Sequence, residues 1–333
     1  MGKQTKKQHY IPRCYLKWFS ADGRSIYAYD KKLSRAYDAP MMSVCFENNL
    51  YTISDEFVAR NNAEAGTSEI NHLTIERDFF SKDVEPNLDL MLRQIDEVRE
   101  DWLTGKEQYY LNPKEKLEVA LHIVTLFFRH PLLINSAVDD YMRLERASLD
   151  MIKEMMAVKT GDDGFRKLQV KLECEKPVLG ANLTFMSNEL LMQFAEAIAK
   201  NIFVFWMSPE PVFYTSDFPV VVYAHVKDVR PMYMGLAQYG SEVMFALSPK
   251  LALSIYDREC FKSDEDLDGC FILAQDKEIR HHNILQYVYA QRHVFSLGRD
   301  FSLIETLYAQ FGNKHPFVNP IPKSEIVSGL GRY

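Results

Sequence analysis

The chain has 333 residues, 47% of them hydrophobic and 26% charged, enough for one large or two ordinary globular domains with a substantial core. That balance argues against a disordered or fibrous chain, and a net charge of −7 leaves no global basic field to draw in nucleic acid. Five cysteines (Cys14, Cys45, Cys174, Cys260 and Cys270) without CxxC spacing argue against a zinc ribbon or disulfide scaffold, and for a reducing cytoplasm.

Residues 1–8 are polar and basic with no apolar stretch behind them, so no signal peptide is expected. No run reaches the roughly 18–20 apolar residues of a membrane-spanning helix, so no membrane partner is expected either. Lys3, Lys6, Lys7, Arg13 and Lys17 form a basic cluster, read as a solubilising tail. Pro12 suits the first turn of a short helix over 11–19 that buries Tyr15, Trp18 and Phe19. The Ala21-Asp22-Gly23 turn leads into an alternating strand at 25–30, with 35–40 as its hairpin partner, and 46–53 reads as a turn running into another extended piece.

From 67 to 158 the pattern is helical. Thr67 and Ser68 are positioned to cap a helix over 69–80, and residues 84–103 place Leu88, Leu92, Ile95 and Val98 at helical spacing. Asn112-Pro113-Lys114-Glu115 opens a helix with apolar residues Leu117, Ala120, Leu121, Val124, Phe127 and Phe128. His130-Pro131 interrupts it, and a further helix runs on to about 157. Residues 160–164 form a Gly-containing break. A helix at 187–200 then feeds strand-like runs at 202–206, 212–214, 220–225, 243–247 and 251–256, and helices at 276–291 and 299–311 close the chain. The fold class is α+β: an N-terminal short helix and hairpin (8–55), a helical middle (67–158) and an antiparallel β-rich C-terminal part with closing helices (187–312), expected to form one integrated domain over 1–333.

Two short motifs stand out. Gln8-His9-Tyr10-Ile11-Pro12-Arg13-Cys14-Tyr15-Leu16-Lys17-Trp18-Phe19 and Phe213-Tyr214-Thr215-Ser216-Asp217-Phe218-Pro219 each set a titratable group among aromatic residues, where its pKa is open to large shifts. His9 reads either as a hydrogen-bonded residue fixing the N-terminal helix or as a general base or metal ligand. Asp217 reads either as a turn carboxylate capping backbone amides or as an acid/base or metal group.

Glu118, His122, Thr125 and Arg129 fall on one helical stripe: a solvated face, or the lining of a cleft in which Glu118 orients His122 and Arg129 holds an anion. Residues 264–269 match the start of a calcium loop, but Gln275 stands where a bidentate Glu belongs, so an acidic turn is expected. His281-His282-Asn283 and Gln291-Arg292-His293 bracket a helical stretch without metal-ligand spacing. There is no GxGxxG, GxxxxGK[ST] or GxSxG, so no organic cofactor is signalled and catalysis would need a constellation assembled in three dimensions.

Taken together, the chain resembles the family known as domain of unknown function 4238, found mostly in bacteria. The resemblance runs over about 8–297. It rests on the Gln8-to-Phe19 opening, Tyr29-Asp30-Lys31, Asn49-Leu50-Tyr51, spaced Glu69 and Glu76, Arg129-His130-Pro131, Thr215-to-Pro219, Leu247-Ser248-Pro249 and a late helix with Asn283 and Arg292. No activity comes with it, but it ties His9, Asn49, Glu69, Glu76, Arg129 and Asp217 together as marked polar positions. It therefore implies a shared site, with His9 as general base, Glu69, Glu76 and Asp217 as acid or divalent-metal groups (Glu69 and Asp217 first as ligands), and Arg129 as an anion clamp. The expected function is a cytoplasmic hydrolase of the nuclease or phosphodiesterase type. The alternative is a non-enzymatic interaction protein, of phage-defence or mobile-element type, whose polar motif residues are structural. Direct RNA or DNA binding without chemistry is a third reading, opposed by the acidic balance.

Overall fold

The computed structural model describes residues 7–64, 70–105, 111–170, 182, 184–226, 235–311 and a short hairpin at 327–328 and 331–332. Thr67, Ser68, Glu69 and Cys174 lie outside them. The fold is α+β, and its two main sheets draw on distant parts of the chain. Strands β1 (Lys7–His9) and β4 (Phe46–Asn48) form an antiparallel ribbon around the N-terminal motif. The expected hairpin β2 (Ser25–Asp30) and β3 (Arg35–Pro40) pairs as read, and β2 continues onto β11 (His293–Ser296) and then β6 (Thr215–Ser216). The N-terminal hairpin is thus built into a sheet completed by residues some 260 positions later.

The second sheet has the order β10-β5-β9-β8-β7, from β5 (Ile202–Met207), β7 (Val221–Ala224), β8 (Ser241–Ser248), β9 (Leu251–Tyr256) and β10 (Cys270–Leu273). It is antiparallel except at its edge, where β10 runs parallel to β5. Residues 212–214, expected as strand, instead form an irregular loop leading into β6.

The helices are α1 (Arg13–Leu16), α2 (Asp55–Glu64), α3 (Glu85–Leu103), α4 (Pro113–Phe128), α5 (Pro131–Thr160), α6 (Asn188–Ala199), α7 (Asp276–Tyr289) and α8 (Ser302–Phe311). Among the described residues no single helix is long and apolar enough to cross a membrane. Two helix starts follow their sequence signals closely. Asn112 caps α4 in a reciprocal capping box with Glu115, and His130 caps α5 by accepting the Leu132 amide at Nδ1. The helix expected over 69–80 is a widened π-type segment at Thr74–Val84, running directly into α3. The expected short helix over 11–19 is α1 followed by a 3₁₀ turn, with Pro12 just outside it as the cap residue.

The main core joins α1, α3, α4, α6 and the five-stranded sheet. Tyr15 sits at its centre, fully buried and stacked on Phe245 with ring centres 5.0 Å apart. Its hydroxyl reaches the Ala246 carbonyl at 2.7 Å and the Thr215 hydroxyl at 2.7 Å. The two motifs singled out in the sequence therefore meet across 200 residues.

Candidate functional site

The marked polar residues fall into a seam of side-chain-to-backbone bonds that holds irregular segments in place. Gln8 accepts the Tyr51 amide at 2.6 Å and donates to the Thr52 hydroxyl. Between β4 and Tyr51, Asn49 takes a left-handed backbone (φ 58°), which Asn tolerates better than most residues. Asp30 accepts the amides of Lys32 and Leu33 and pairs with Arg292, while Lys31 donates to the Tyr287 and Ala290 carbonyls at the end of α7. Helix α7 secures the 212–219 loop: Asn283 bonds Tyr214 N and Val212 O, His282 donates to Tyr214 O, and Gln286 bonds Ser216 and Pro219. The ladder reaches this loop only at the two residues of β6, and the Pro249 and His293 carbonyls take the Val212, Phe213 and Asp217 amides, so side chains supply partners for other backbone groups.

Asp217 belongs to this seam. Its carboxylate accepts three consecutive backbone amides, Gln291 at 2.8 Å, Arg292 at 2.8 Å and His293 at 2.9 Å. Burial pushes the carboxyl pKa up, against those amides and His293, which pull it down. With both oxygens engaged by backbone, the geometry matches the turn-capping reading rather than a metal ligand or proton-transfer group. Its carbonyl accepts from His130 Nε2 at 2.8 Å, and burial drives the His130 pKa down to about 3, so this imidazole is neutral.

Three other candidates do converge. The Arg129 guanidinium, wholly buried, donates to the His9 carbonyl at 2.7 Å, pairs with Glu85 at 3.3 Å and lies 4.0 Å over the Phe80 ring. The Tyr51 hydroxyl donates to the Arg129 carbonyl at 2.6 Å. Burial, then the charges of Arg13 and Arg129, lower the His9 pKa to about 4, and burial raises Glu76 to about 7 against the pull of Arg129. His9 Nε2, Glu76 Oε2 and Arg129 Nε and Nη1 are buried without a hydrogen-bond partner among the described residues. For Arg129 the Phe80 face stands in as a cation–π partner. This node is a buried charge cluster, and its Arg129 is not presented to an open cleft. Asp217 is linked to it through His130, whose Nε2 donates to the Asp217 carbonyl, and Glu69 lies outside the described residues.

The remaining acidic turn is also committed. Asp268 accepts Lys116 Nζ at 2.8 Å and the Phe203 amide at 2.9 Å, and pairs with Arg258. No group of three or more His, Cys, Asp or Glu among the described residues is arranged to hold a metal ion.

The arrangement best suited to chemistry was not legible as a motif. A cavity of about 510 Å³ opens beside the five-stranded sheet, lined by Trp206, Tyr223, Tyr256 and Phe261 together with His225, Glu242 and His281. Glu242 is buried, yet its Oε2 accepts His225 Nε2 at 2.7 Å and His281 Nε2 at 3.1 Å, and its Oε1 accepts the Ser254 hydroxyl at 2.9 Å. Burial alone would raise this carboxyl; the two imidazoles outweigh it and hold the pKa down to about 2. Each imidazole is about one-third exposed, His225 at 30% and His281 at 33%. Tyr223 packs edge-on against both rings, at 4.8 and 4.9 Å, and fixes their planes. Since each Nε2 is turned to the carboxylate, Nδ1 is the ring nitrogen left for the cavity. A buried carboxylate orienting two half-open imidazoles is the constellation of an acid–base site. The one signal available in sequence was Glu242, a lone charge at the start of an otherwise apolar strand.

Comparison with known proteins agrees with the motif-based resemblance. No curated protein and no solved structure matches the chain. A family model described as protein of unknown function (DUF4238) matches residues 7–300, and the chain belongs to that family.

Proposed function

We propose that this protein is a hydrolase whose acid–base chemistry takes place at His225 and His281, held by Glu242. The observation that carries the reading is the single buried carboxylate bonded to both imidazoles on the wall of an open cavity. In the working state one imidazole is neutral and the other protonated, so that with Glu242 the triad is uncharged. The neutral ring takes a proton from water at Nδ1 as the water oxygen attacks the substrate. The protonated ring gives its Nδ1 proton to the leaving oxygen, and solvent exchange restores the starting state. Such a pair contributes about 10²–10⁴-fold per proton-transfer group. Phosphodiesters, including nucleic acid, are the first substrate class, because an imidazole–imidazolium pair serves both attack and departure at phosphorus. The four free cysteines among the described residues, Cys14, Cys45, Cys260 and Cys270, fit work in the reducing cytoplasm.

The test is hydrolysis of a chromogenic phosphodiester, phosphomonoester and carboxylic ester by the parent and by His225→Asn, His281→Asn and Glu242→Gln. Hydrolysis of one ester, lost about 100-fold or more in each folded variant, is the expected result. No hydrolysis of any, or variants as fast as the parent, contradicts it.

One observation favours a second reading, a non-catalytic interaction protein: the seam engages Asp217, Asp30 and Asn283 entirely in structural bonds. On that reading the two imidazoles contribute stability alone.

A further inference from the structure

A second cavity, of about 490 Å³, lies between the widened segment, α3, α4 and α6 and shares no lining residue with the first. Part of the polar stripe of α4 faces it: Glu118, His122 and Thr125 line its wall, while Arg129 turns away to His9. The charged residues on its lining are both acidic, Asp83 and Glu118. Lys114 stands 3.7 Å from Glu118 but is itself 85% exposed and outside the lining.

His122 has no hydrogen-bond partner among the described residues, and burial lowers its pKa to about 4, so the ring is neutral and offers a lone pair. The Thr125 hydroxyl spends its proton on the Leu121 carbonyl and faces the cavity as an acceptor. Two carboxylates, a neutral imidazole and a committed hydroxyl make a wall rich in acceptors, beside the carboxamides of Asn87, Gln94 and Asn188, of which Asn87 donates to Asp83 at 3.2 Å. Phe79, Met91, Leu121 and Leu191 supply apolar surface beside it. The volume falls within the range of small-molecule sites.

We propose that this cavity binds a small organic cation, an ammonium or guanidinium group carried on an apolar body. The cationic head donates to Glu118, Asp83 and His122, and the body lies against Leu121, Leu191 and Met91. An anion is refused by the two carboxylates, and a neutral ligand forgoes the charge-assisted bonds.

Calorimetric titration of the full chain with 2-phenylethylammonium, 2-phenylethanol and 3-phenylpropionate tests this. The cation is expected to bind with a dissociation constant on the order of 1 mM or tighter, the alcohol at least about tenfold weaker, and the carboxylate not measurably. Glu118→Gln and His122→Leu are each expected to weaken the cation about tenfold or more. Glu118 is 58% exposed on its side chain, so Glu118→Gln keeps the fold even if His122→Leu does not. Equal affinity for the three probes, binding of none of them, or a Glu118→Gln protein that binds the cation as tightly as the parent overturns the proposal.

Discussion

The polar seam and the sheet cavity use the same residue types to opposite ends. In the seam, Asp217, Asp30, Gln8 and Asn283 spend their bonding capacity on backbone groups and neighbouring side chains. In the cavity, Glu242 spends its capacity on His225 and His281, which keep a nitrogen and about a third of their surface in reserve. A marked polar residue is therefore not, by that fact, a site residue. Polar groups serve the fold where irregular backbone is buried, and a bonding face left over at a cavity is what the proposed chemistry uses.

The comparison is best broken at its strongest point. Asp217→Ala removes the acceptor of three backbone amides at once, that of buried His293 among them, and with about 1–3 kcal/mol for a buried unsatisfied donor the expected loss is about 3 kcal/mol, read from urea unfolding. A loss below about 1 kcal/mol would remove Asp217 from the structural class. Arg129→Met leaves the His9 carbonyl unpaired and Glu85 without its cation, at an expected cost of about 2–4 kcal/mol by the same measurement.

Glu76→Gln sharpens the picture through pH. The folded protein holds the Glu76 carboxyl near 7 instead of its ordinary 4.5, which favours the protonated form. Its ionisation therefore costs nothing below about pH 4.5, costs progressively more as pH rises to 7, and costs the full amount above. The amide removes that penalty, so Glu76→Gln is expected to be more stable than the parent by about 1–3 kcal/mol at pH 8 and unchanged near pH 4.5. His9, shifted the opposite way, penalises both proteins alike below about pH 6.5 and cancels in the difference. A pH-independent difference would show that Glu76 is not the buried acid. The smallest effect belongs to Asn49: with φ at 58°, Asn49→Ala is expected to cost about 1 kcal/mol and Asn49→Gly about 0.5 or less. Equal melting temperatures for the two would sink that reading.

The elements legible in sequence are those whose signal is local. The β2–β3 hairpin, the Asn112 and His130 helix starts, and β9 stand at or close to their expected positions. The strands β1, β6 and β11 have two to four residues, too few for an alternation to be read, and are defined by partners 37 to 269 positions away. The widened helix escaped because its hydrogen-bond period is not that of an α-helix. The site was hidden for the same reason as the short strands. Glu242 is the second residue of β8, His225 follows β7 and His281 lies in α7, and the β7–β8 pairing and the packing of α7 bring the three together. Of the expected set His9, Glu69, Glu76, Arg129 and Asp217, His9, Glu76 and Arg129 lie together, and sequence alone does not tell a buried cluster from an open one.

The central claim is that the seam holds the fold and the cavity carries the chemistry, and one paired measurement tests it: melting temperature and ester hydrolysis for His281→Asn and Asp217→Asn beside the parent. The account predicts that His281→Asn melts close to the parent and loses hydrolysis about 100-fold or more, while Asp217→Asn melts well below it and hydrolyses normally at temperatures where it is folded. A fully active His281→Asn beside a folded, inactive Asp217→Asn would contradict it.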